Sequence, residues 1–492
     1  MTSRIPWTTI ANAPAAELRQ LQDATLARRV REELVPFSAH YARMFREQRI
    51  DARSIRTVSD LARVPFTTKQ DLLAAQSDPE RRLDFVLRPS PELIRAHWPL
   101  AKKLGLVFGG DAAKARLRRA YTPNFATFTT GRSSDPVAFY YTPHDIELLG
   151  VVGARMLDVH GIGDPLARIL NLFPFAPHLA FWQTVFAGFE TGRFMLSTGG
   201  GKVMGSQASI KLAERIQPDV LIGVPGFVYH VLREAREKGA NLSKVKLVIL
   251  GAEKVTPGLK QKMSESLAAC GANGVTISGT YGFTEARMAF SECPASHAET
   301  PGYHFYPDLC VIEVIDPVTE KVLGPGETGE LVYTPLDGHG TTVLRYRTGD
   351  VAVGGITWEP CPWCRRTVPR IASELKRSSE QKAMNLTKIK GTLVDLSAIG
   401  AFLSGLPEVE EWQVVLKKKN DDPYDLDEFV LRVAVKNGIE AADFEPRVKR
   451  EMVEAVEIAP SKVEFKTTKE MLEVLGMETE MKEKRFLDLR PK

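Results

Sequence analysis

The chain has 492 residues, of which 43% are hydrophobic and 26% charged, too long for one ordinary core and too apolar for a disordered polypeptide. Its net charge of +4 is small for that length and argues against a nucleic-acid or membrane partner, leaving room only for a weak preference for anionic ligands. Residues 1–18 hold no signal-peptide core, no apolar run reaches about 18 residues, and the five cysteines are scattered, so the sequence reads as cytoplasmic with reduced thiols.

In chain order, residues 15–48 carry Leu18, Leu21, Leu26, Val30 and Leu34 at helical spacing, which predicts one or two amphipathic helices. A short helix follows at 59–63, and Pro65-Phe66-Thr67-Thr68-Lys69 opens another with a Thr cap. Residues 84–119 are basic and show no regular pattern. A helix is predicted over 206–217, a strand at 220–222, and a helix over 228–238 closed by Gly239. A strand at 247–250, a helix opened by Thr256-Pro257 and a strand at 275–277 follow. Short apolar runs alternating with helices mean a parallel sheet with crossover helices, and such sheets bind ligands beyond the carboxyl ends of their strands. Those ends read Gly223-Val224-Pro225, Gly251-Ala252-Glu253 and Gly279-Thr280-Tyr281-Gly282. After about residue 301 the pattern becomes that of an antiparallel β subdomain, at about 305–372. A polar linker at 378–382 leads into a small α+β module.

Three stretches carry groups suited to a nucleotide. Phe128-Thr129-Thr130-Gly131-Arg132-Ser133-Ser134-Asp135-Pro136 lies between two strand-like runs. Hydroxyls and backbone N–H groups in such a loop can surround phosphate oxygens, and Arg132 can add charge-assisted bonds, although the same composition serves an ordinary turn. In Tyr281-Gly282-Phe283-Thr284-Glu285, a carboxylate and a hydroxyl can hold Mg²⁺ and a phosphate; alternatively Glu285 caps the next helix. In Arg345-Tyr346-Arg347-Thr348-Gly349-Asp350, an Asp after a Gly turn can accept two ribose hydroxyls or make an Asx turn.

Taken in this order, these stretches together with Gly251-Ala252-Glu253 resemble the AMP-forming adenylating (acyl-CoA synthetase) superfamily. Val35-Pro36-Phe37, residues 61–72, Gly329-Glu330-Leu331-Val332 and Lys482-Glu483-Lys484-Arg485-Phe486-Leu487-Asp488 are similar to its phenylacetate–CoA ligase-like branch. The resemblance implies an α/β fold. A large N-terminal domain (1–375) would hold parallel sheets, crossover helices and the antiparallel subdomain, and a small α+β C-terminal domain (376–492) would rotate between half-reactions. It implies ATP-dependent activation of a carboxylic acid to an acyl-adenylate, with release of pyrophosphate, then transfer to the thiol of coenzyme A. A dimer is usual among such relatives. Two rival readings are a ligase with another acceptor (a carrier protein, an amine or a nucleotide cofactor) and a nucleotide-binding protein that has lost catalysis.

Residue by residue, Thr129, Thr130, Gly131, Arg132 and Ser133 match the phosphate loop, and Gly251, Ala252 and Glu253 the adenine segment. Thr280, Tyr281 and Gly282 would flank the nucleotide, with Tyr281 on the adenine; Thr284 would bind the α-phosphate and Glu285 the Mg²⁺. Asp350 would bind the ribose, helped by Arg377, and Lys482 would serve adenylation, with Lys484 the alternative if the register slips. Carboxylate attack on phosphorus brings two anions together, so catalysis must supply positive charge and position. The acid would lie along the aromatic stretch 171–181 and Pro225-Gly226-Phe227, touching Phe175, His178, Phe181, Pro225, Gly226 and Gly279; alternatively most of these phenylalanines are simply core, and His178 is a satisfied core histidine rather than a carboxylate contact. Aromatic walls suit an aryl or arylacetic acid. The loop departs from the family's Gly-Lys-Pro ending with Ser134-Asp135-Pro136, and the hinge position falls on Ser379 or Glu380.

Cys361-Pro362-Trp363-Cys364 has zinc-knuckle spacing. Cys293 and His304 would complete a structural Zn²⁺ set, with His297 the alternative to His304; the bland reading is a pair of unliganded thiols near a turn.

Overall fold

The computed structural model describes residues 5–129, 136–295, 300–377, 386–389, 392–418, 427–477 and 483–490. Among them the central element is a nine-stranded sheet. Its order is Ile356–Thr357, Arg370–Ile371, Tyr303–His304, Met288–Glu292, Thr276–Phe283, Leu247–Leu250, Val220–Gly223, Ile169–Asn171 and Met195–Ser197. The strands from Thr276–Phe283 to Met195–Ser197 pair in parallel. Leu221 and Val248 pack into one core cluster with the helices Gly205–Ile216, Pro225–Glu237 and Pro257–Ala269. Val220, Ile222, Leu247 and Ile249 pack into another with the helices Pro143–Val159 and Leu179–Thr191. Burial on both faces is why these strands are continuous apolar runs, and each such side chain contributes about 1.5–3 kcal/mol on burial.

Two expectations change. The strand expected at 275–277 runs as Thr276–Phe283. Its first half pairs with Leu247–Leu250, and its second half pairs antiparallel with Met288–Glu292, Tyr281 opposite Phe290. The glycine-rich run read as a strand end is therefore strand, held by a hairpin partner. Residues 84–119, which carried no pattern, contain the helices Pro91–His97 and Leu100–Phe108 and most of Gly110–Ala120. Ser90 caps the first, accepting from the Leu93 N–H at 3.2 Å, with Pro91 in the first turn. The second helix buries no residue and leaves Leu100, Val107 and Phe108 exposed. Only Leu106 of this helix packs against a small core cluster, that of Phe37, Leu87 and Ile94, so its apolar pattern is mostly turned to solvent.

The expected β subdomain is a four-stranded antiparallel sheet of Cys310–Ile315, Gly329–Pro335, Tyr346–Ala352 and Leu375–Arg377. Ile356–Thr357 and Arg370–Ile371, inside the same stretch of chain, cross to the large sheet instead. In the C-terminal part, Val409–Lys418 and Asp427–Val435 pair antiparallel, flanked in parallel by Phe486–Asp488 and Lys462–Phe465. Leu403, Val414, Leu431, Phe444 and Val448 form a core cluster there. This part packs on the helix Pro257–Ala269, where Lys262 Nζ donates to the Val409 carbonyl at 2.5 Å. Among the described residues no helix is long and apolar enough to cross a membrane.

Candidate active site

Register brings the strand ends together: Gly223 lies opposite Leu250, and Leu250 opposite Gly279. The Gly251 N–H donates to the Gly223 carbonyl at 3.1 Å, and Ala252 follows in the left-handed region at φ 73°. Thr280 Oγ1 donates to the Leu250 carbonyl at 3.0 Å. A Cβ on Gly251 would stand 2.5 Å from that hydroxyl, so only glycine lets the two segments lie this close. Beneath them the Gly279 N–H donates to Glu292 Oε2 at 2.6 Å, and Glu292 pairs with the buried Lys260 at 3.3 Å.

Beyond this edge two tyrosines hold two carboxylates. Tyr281 Oη donates to Asp350 Oδ2 at 2.8 Å, and Tyr346 Oη donates to Glu285 Oε1 at 2.8 Å. Tyr281, Thr284, Glu285 and Asp350 thus share one region, although Tyr281 and Asp350 lie far apart in sequence. Gly282 packs closely on Ala289, across the hairpin. Asp350 is buried, and its N–H donates to Thr348 Oγ1 at 3.0 Å across Gly349, whose φ is 72°. Its strand neighbour is Arg377, the side chain of which is outside the described atoms. Glu285 lies in the short turn Thr284–Ala286. The next residue, Arg287, is buried and pairs with the buried Asp145 at 2.6 Å. Asp145 also accepts from the N–H groups of Thr142, His339 and Gly340. Burial alone would raise the Asp145 carboxyl, but Arg287, His339 and the Thr142 bonds outweigh it and hold it below its usual value.

The two arginines of Arg345-Tyr346-Arg347-Thr348-Gly349-Asp350 are structural. Arg345 grips Glu313 through both oxygens at 3.1 and 3.0 Å and donates to the Val64 carbonyl at 2.8 Å. Arg347 pairs with Glu330 at 2.6 Å. These contacts tie the Val64–Thr67 region to the strand that carries Asp350, and Thr67 Oγ1 adds a bond to the Leu344 carbonyl.

The strands Phe125–Phe128 and Ala138–Tyr141, which lead into and out of the hydroxyl-rich stretch, pair as a hairpin. The Thr129 N–H donates to the Val137 carbonyl, and Thr129 Oγ1 accepts from the Val137 N–H at 2.9 Å. Thr130, Gly131, Arg132 and Ser133, with Ser134 and Asp135, lie outside the described residues, as do Lys482, His297, Ser379 and Glu380. His178 Nδ1 lies 3.0 Å from the Phe128 carbonyl, and its Nε2 is buried with no partner among the described residues. His178 therefore sits beside that hairpin.

A cavity of about 360 Å³ opens next to these strand ends, walled by Pro174, Phe175, Gly200, Gly201, Val224 and Phe227. Lys202, Val203, Met477 and Glu483 complete it. Phe175 is exposed on its rim, whereas Phe181 is buried in the core against Trp182, ring centres 5.4 Å apart. Pro225 and Gly226 open the helix that carries Phe227. Glu483, the residue after Lys482, reaches this wall from the C-terminal part; it and Tyr346 are members of quoted motifs that sequence reading gave no role. Asp145 was legible as a capping-box residue, three positions after Thr142.

Apart from this region, Cys293, His304, Cys361 and Cys364 place their ligand atoms within 4.8 Å of one another. Cys293 Sγ lies 3.5 Å from Cys361 Sγ, and Cys364 Sγ lies 3.4 Å from His304 Nε2. Tetrahedral Zn²⁺ spaces such S and N ligands about 3.5–3.8 Å apart, so this donor set fits the ion.

Comparison with known proteins agrees with this geometry. The family model described as AMP-binding enzyme matches residues 151–337. Phenylacetate-coenzyme A ligase of Thermus thermophilus is 27% identical over 429 residues, 86% of this chain and 82% of that protein. The Escherichia coli protein of the same name is 25% identical over 355 residues, 70% of this chain and 68% of that protein. The fold is similar to that of 2-hydroxyisobutyryl-CoA ligase in the postadenylation state in complex with 2-HIB-AMP. The TM-score is 0.77 at 20% identity, covering 99% of this chain and 94% of that one. For the same ligase with 2-HIB-AMP and CoA in the thioesterification state the TM-score is 0.64, at the same coverage and identity. Residues 151–337 thus match the AMP-binding enzyme family, and over most of its length the chain is similar to phenylacetate-coenzyme A ligases.

Proposed function

We propose that the protein uses ATP to activate a carboxylic acid, aryl or arylacetic in class, and passes the acyl group to coenzyme A. A carboxylate oxygen attacks the α-phosphorus, the bond to the β-phosphate breaks, and pyrophosphate leaves. The CoA thiol, losing its proton, then attacks the acyl carbon and AMP leaves. The observation that carries this reading is the pair of tyrosine-held carboxylates, Asp350 and Glu285, at the edge of the parallel sheet beside Gly251.

In this reading Asp350 and Arg377 hold the ribose, while Tyr281 and residues 251–253 flank the adenine. Thr284 and the loop 129–134 hold phosphate, and Phe175 and His178 face the acid, while Gly226 lies under Glu483. Glu285 offers a hard oxygen suited to Mg²⁺, which when bound supplies positive charge at the phosphates. Cys293, His304, Cys361 and Cys364 would hold a structural Zn²⁺. Residues 1–375 form the ATP- and acid-binding unit and 376–492 the unit that moves between steps.

The test is acid-dependent ATP–pyrophosphate exchange over benzoates, phenylacetates and fatty acids, followed by product mass with and without coenzyme A. Lys482→Ala is expected to lower exchange by about 10²–10³, the scale of losing one preorganised charge donor. Undiminished exchange in that variant removes Lys482 from the mechanism, and no exchange by wild type with any acid removes the function.

A further inference from the structure

An ion-pair chain joins the C-terminal part of the molecule to one helix of the parallel-sheet layer. Glu411, on the strand Val409–Lys418, is fully buried; its two oxygens take Arg233 Nη1 at 3.1 Å and Arg485 Nη2 at 2.9 Å. Arg485 Nε in turn holds Glu483 Oε2 at 2.5 Å. Glu483 Oε1 is buried, has no hydrogen-bond partner among the described residues, and occupies the space where a methyl on Gly226 would be. Gly226 and Arg233 lie on the same helix, Pro225–Glu237. They are about two turns apart and so on one face. The C-terminal segment is thus fastened to that helix at both ends of the chain of charges, and Glu483 closes one wall of the acid cavity.

A buried carboxylate oxygen without a partner is costly to keep. Burial pushes the Glu483 carboxyl up to about 7 against the opposing pull of Arg485. A group kept at that cost is a candidate for function. We propose that Glu483 is a positioning residue for the first half-reaction: seated on Gly226 and tethered through Arg485 and Glu411 to Arg233, it fixes the C-terminal segment against the acid cavity while the acyl-adenylate forms. The inference rests on the adenylating function proposed above. The second half-reaction, run with the moving unit rearranged, does not use this contact.

Full-length protein is assayed with the acid of the panel that supports the fastest exchange, and separately with its synthetic acyl-adenylate plus coenzyme A. Glu483→Ala is expected to lower exchange about 10²-fold, the scale of a catalytic group displaced by about 1 Å, while thioester formation from the adenylate stays within about twofold. Glu483→Gln, isosteric with the neutral acid, keeps most of the exchange. Gly226→Ala also loses exchange, because its methyl meets Glu483, and adding Glu483→Ala to it causes no further loss, since both changes break one contact. Should Glu483→Ala fold poorly, that double variant, which fills the vacated space, still decides. Equal losses in both half-reactions, unchanged exchange, or multiplicative losses in the double variant overturn the proposal. Wild-type inactivity with every acid overturns the underlying function instead.

Discussion

At the scale of single residues, Tyr281 and Tyr346 hold the carboxylates of Asp350 and Glu285 in place before any nucleotide arrives. A hydrogen bond to a charged group is worth about 1.5–3 kcal/mol. Tyr346→Phe is therefore expected to raise KM for magnesium ATP about tenfold with a smaller change in kcat, read from exchange kinetics; equal falls in kcat and kcat/KM would place the loss in the transition state instead. Glu285 and Asp350 were legible because each sits in a short motif of fixed order. The holding role of Tyr346 was not, because its hydroxyl reaches Glu285 across 61 positions of sequence, a tertiary contact that no local pattern encodes. Arg345 and Arg347, in the same motif as Asp350, spend their charges on Glu313 and Glu330 inside the fold.

At the scale of elements, the turn carrying Glu285 is anchored by Arg287 to Asp145 at the start of the helix Pro143–Val159. Both charges are buried, so Arg287→Met leaves Asp145 unpaired and is expected to cost about 3–5 kcal/mol in denaturant unfolding, as breaking a buried pair does; a loss under about 1 kcal/mol would make the pair incidental. Because the Asp145 carboxyl is depressed, its contribution is present above the ordinary value of 3.8 and is lost as pH falls through the lower folded value. Met288–Glu292 and Tyr303–His304 are neighbours in the large sheet, and Tyr303–His304 pairs in turn with Arg370–Ile371. That pairing brings Cys293 and His304 to the Cys361 turn. Purified protein is expected to carry about one equivalent of zinc, reduced by Cys361→Ser, on metal analysis; under a tenth of an equivalent would remove the site. The buried strands were readable from apolar runs, while the helices of 84–119 were not, since they are short and only Ile94 among their residues is buried, in a small cluster with Phe37 and Leu87.

At the scale of the molecule, the docking of the C-terminal part is where pH should act. Glu483 faces Arg485 on its own segment, Glu411 on the neighbouring strand and Glu253 after the strand Leu247–Leu250, and it shares the cavity wall with Lys202. Its raised carboxyl stabilises the docked form below the ordinary 4.5, and that stabilisation fades as pH rises toward about 7. Glu483→Gln should flatten this part of the pH profile of exchange; an unaltered profile would assign it to another group. The salt-bridge chain that joins the C-terminal part to the helix Pro225–Glu237 was not foreseeable, because Arg233, Glu411 and Arg485 are far apart in sequence and meet only through tertiary packing. All of this depends on separate stretches of chain, around Gly251, Tyr281 and Asp350, forming a single nucleotide site. Isothermal titration of the folded wild-type protein with ATP and magnesium tests that most directly: saturable heat at one site is predicted, and a flat titration would contradict it.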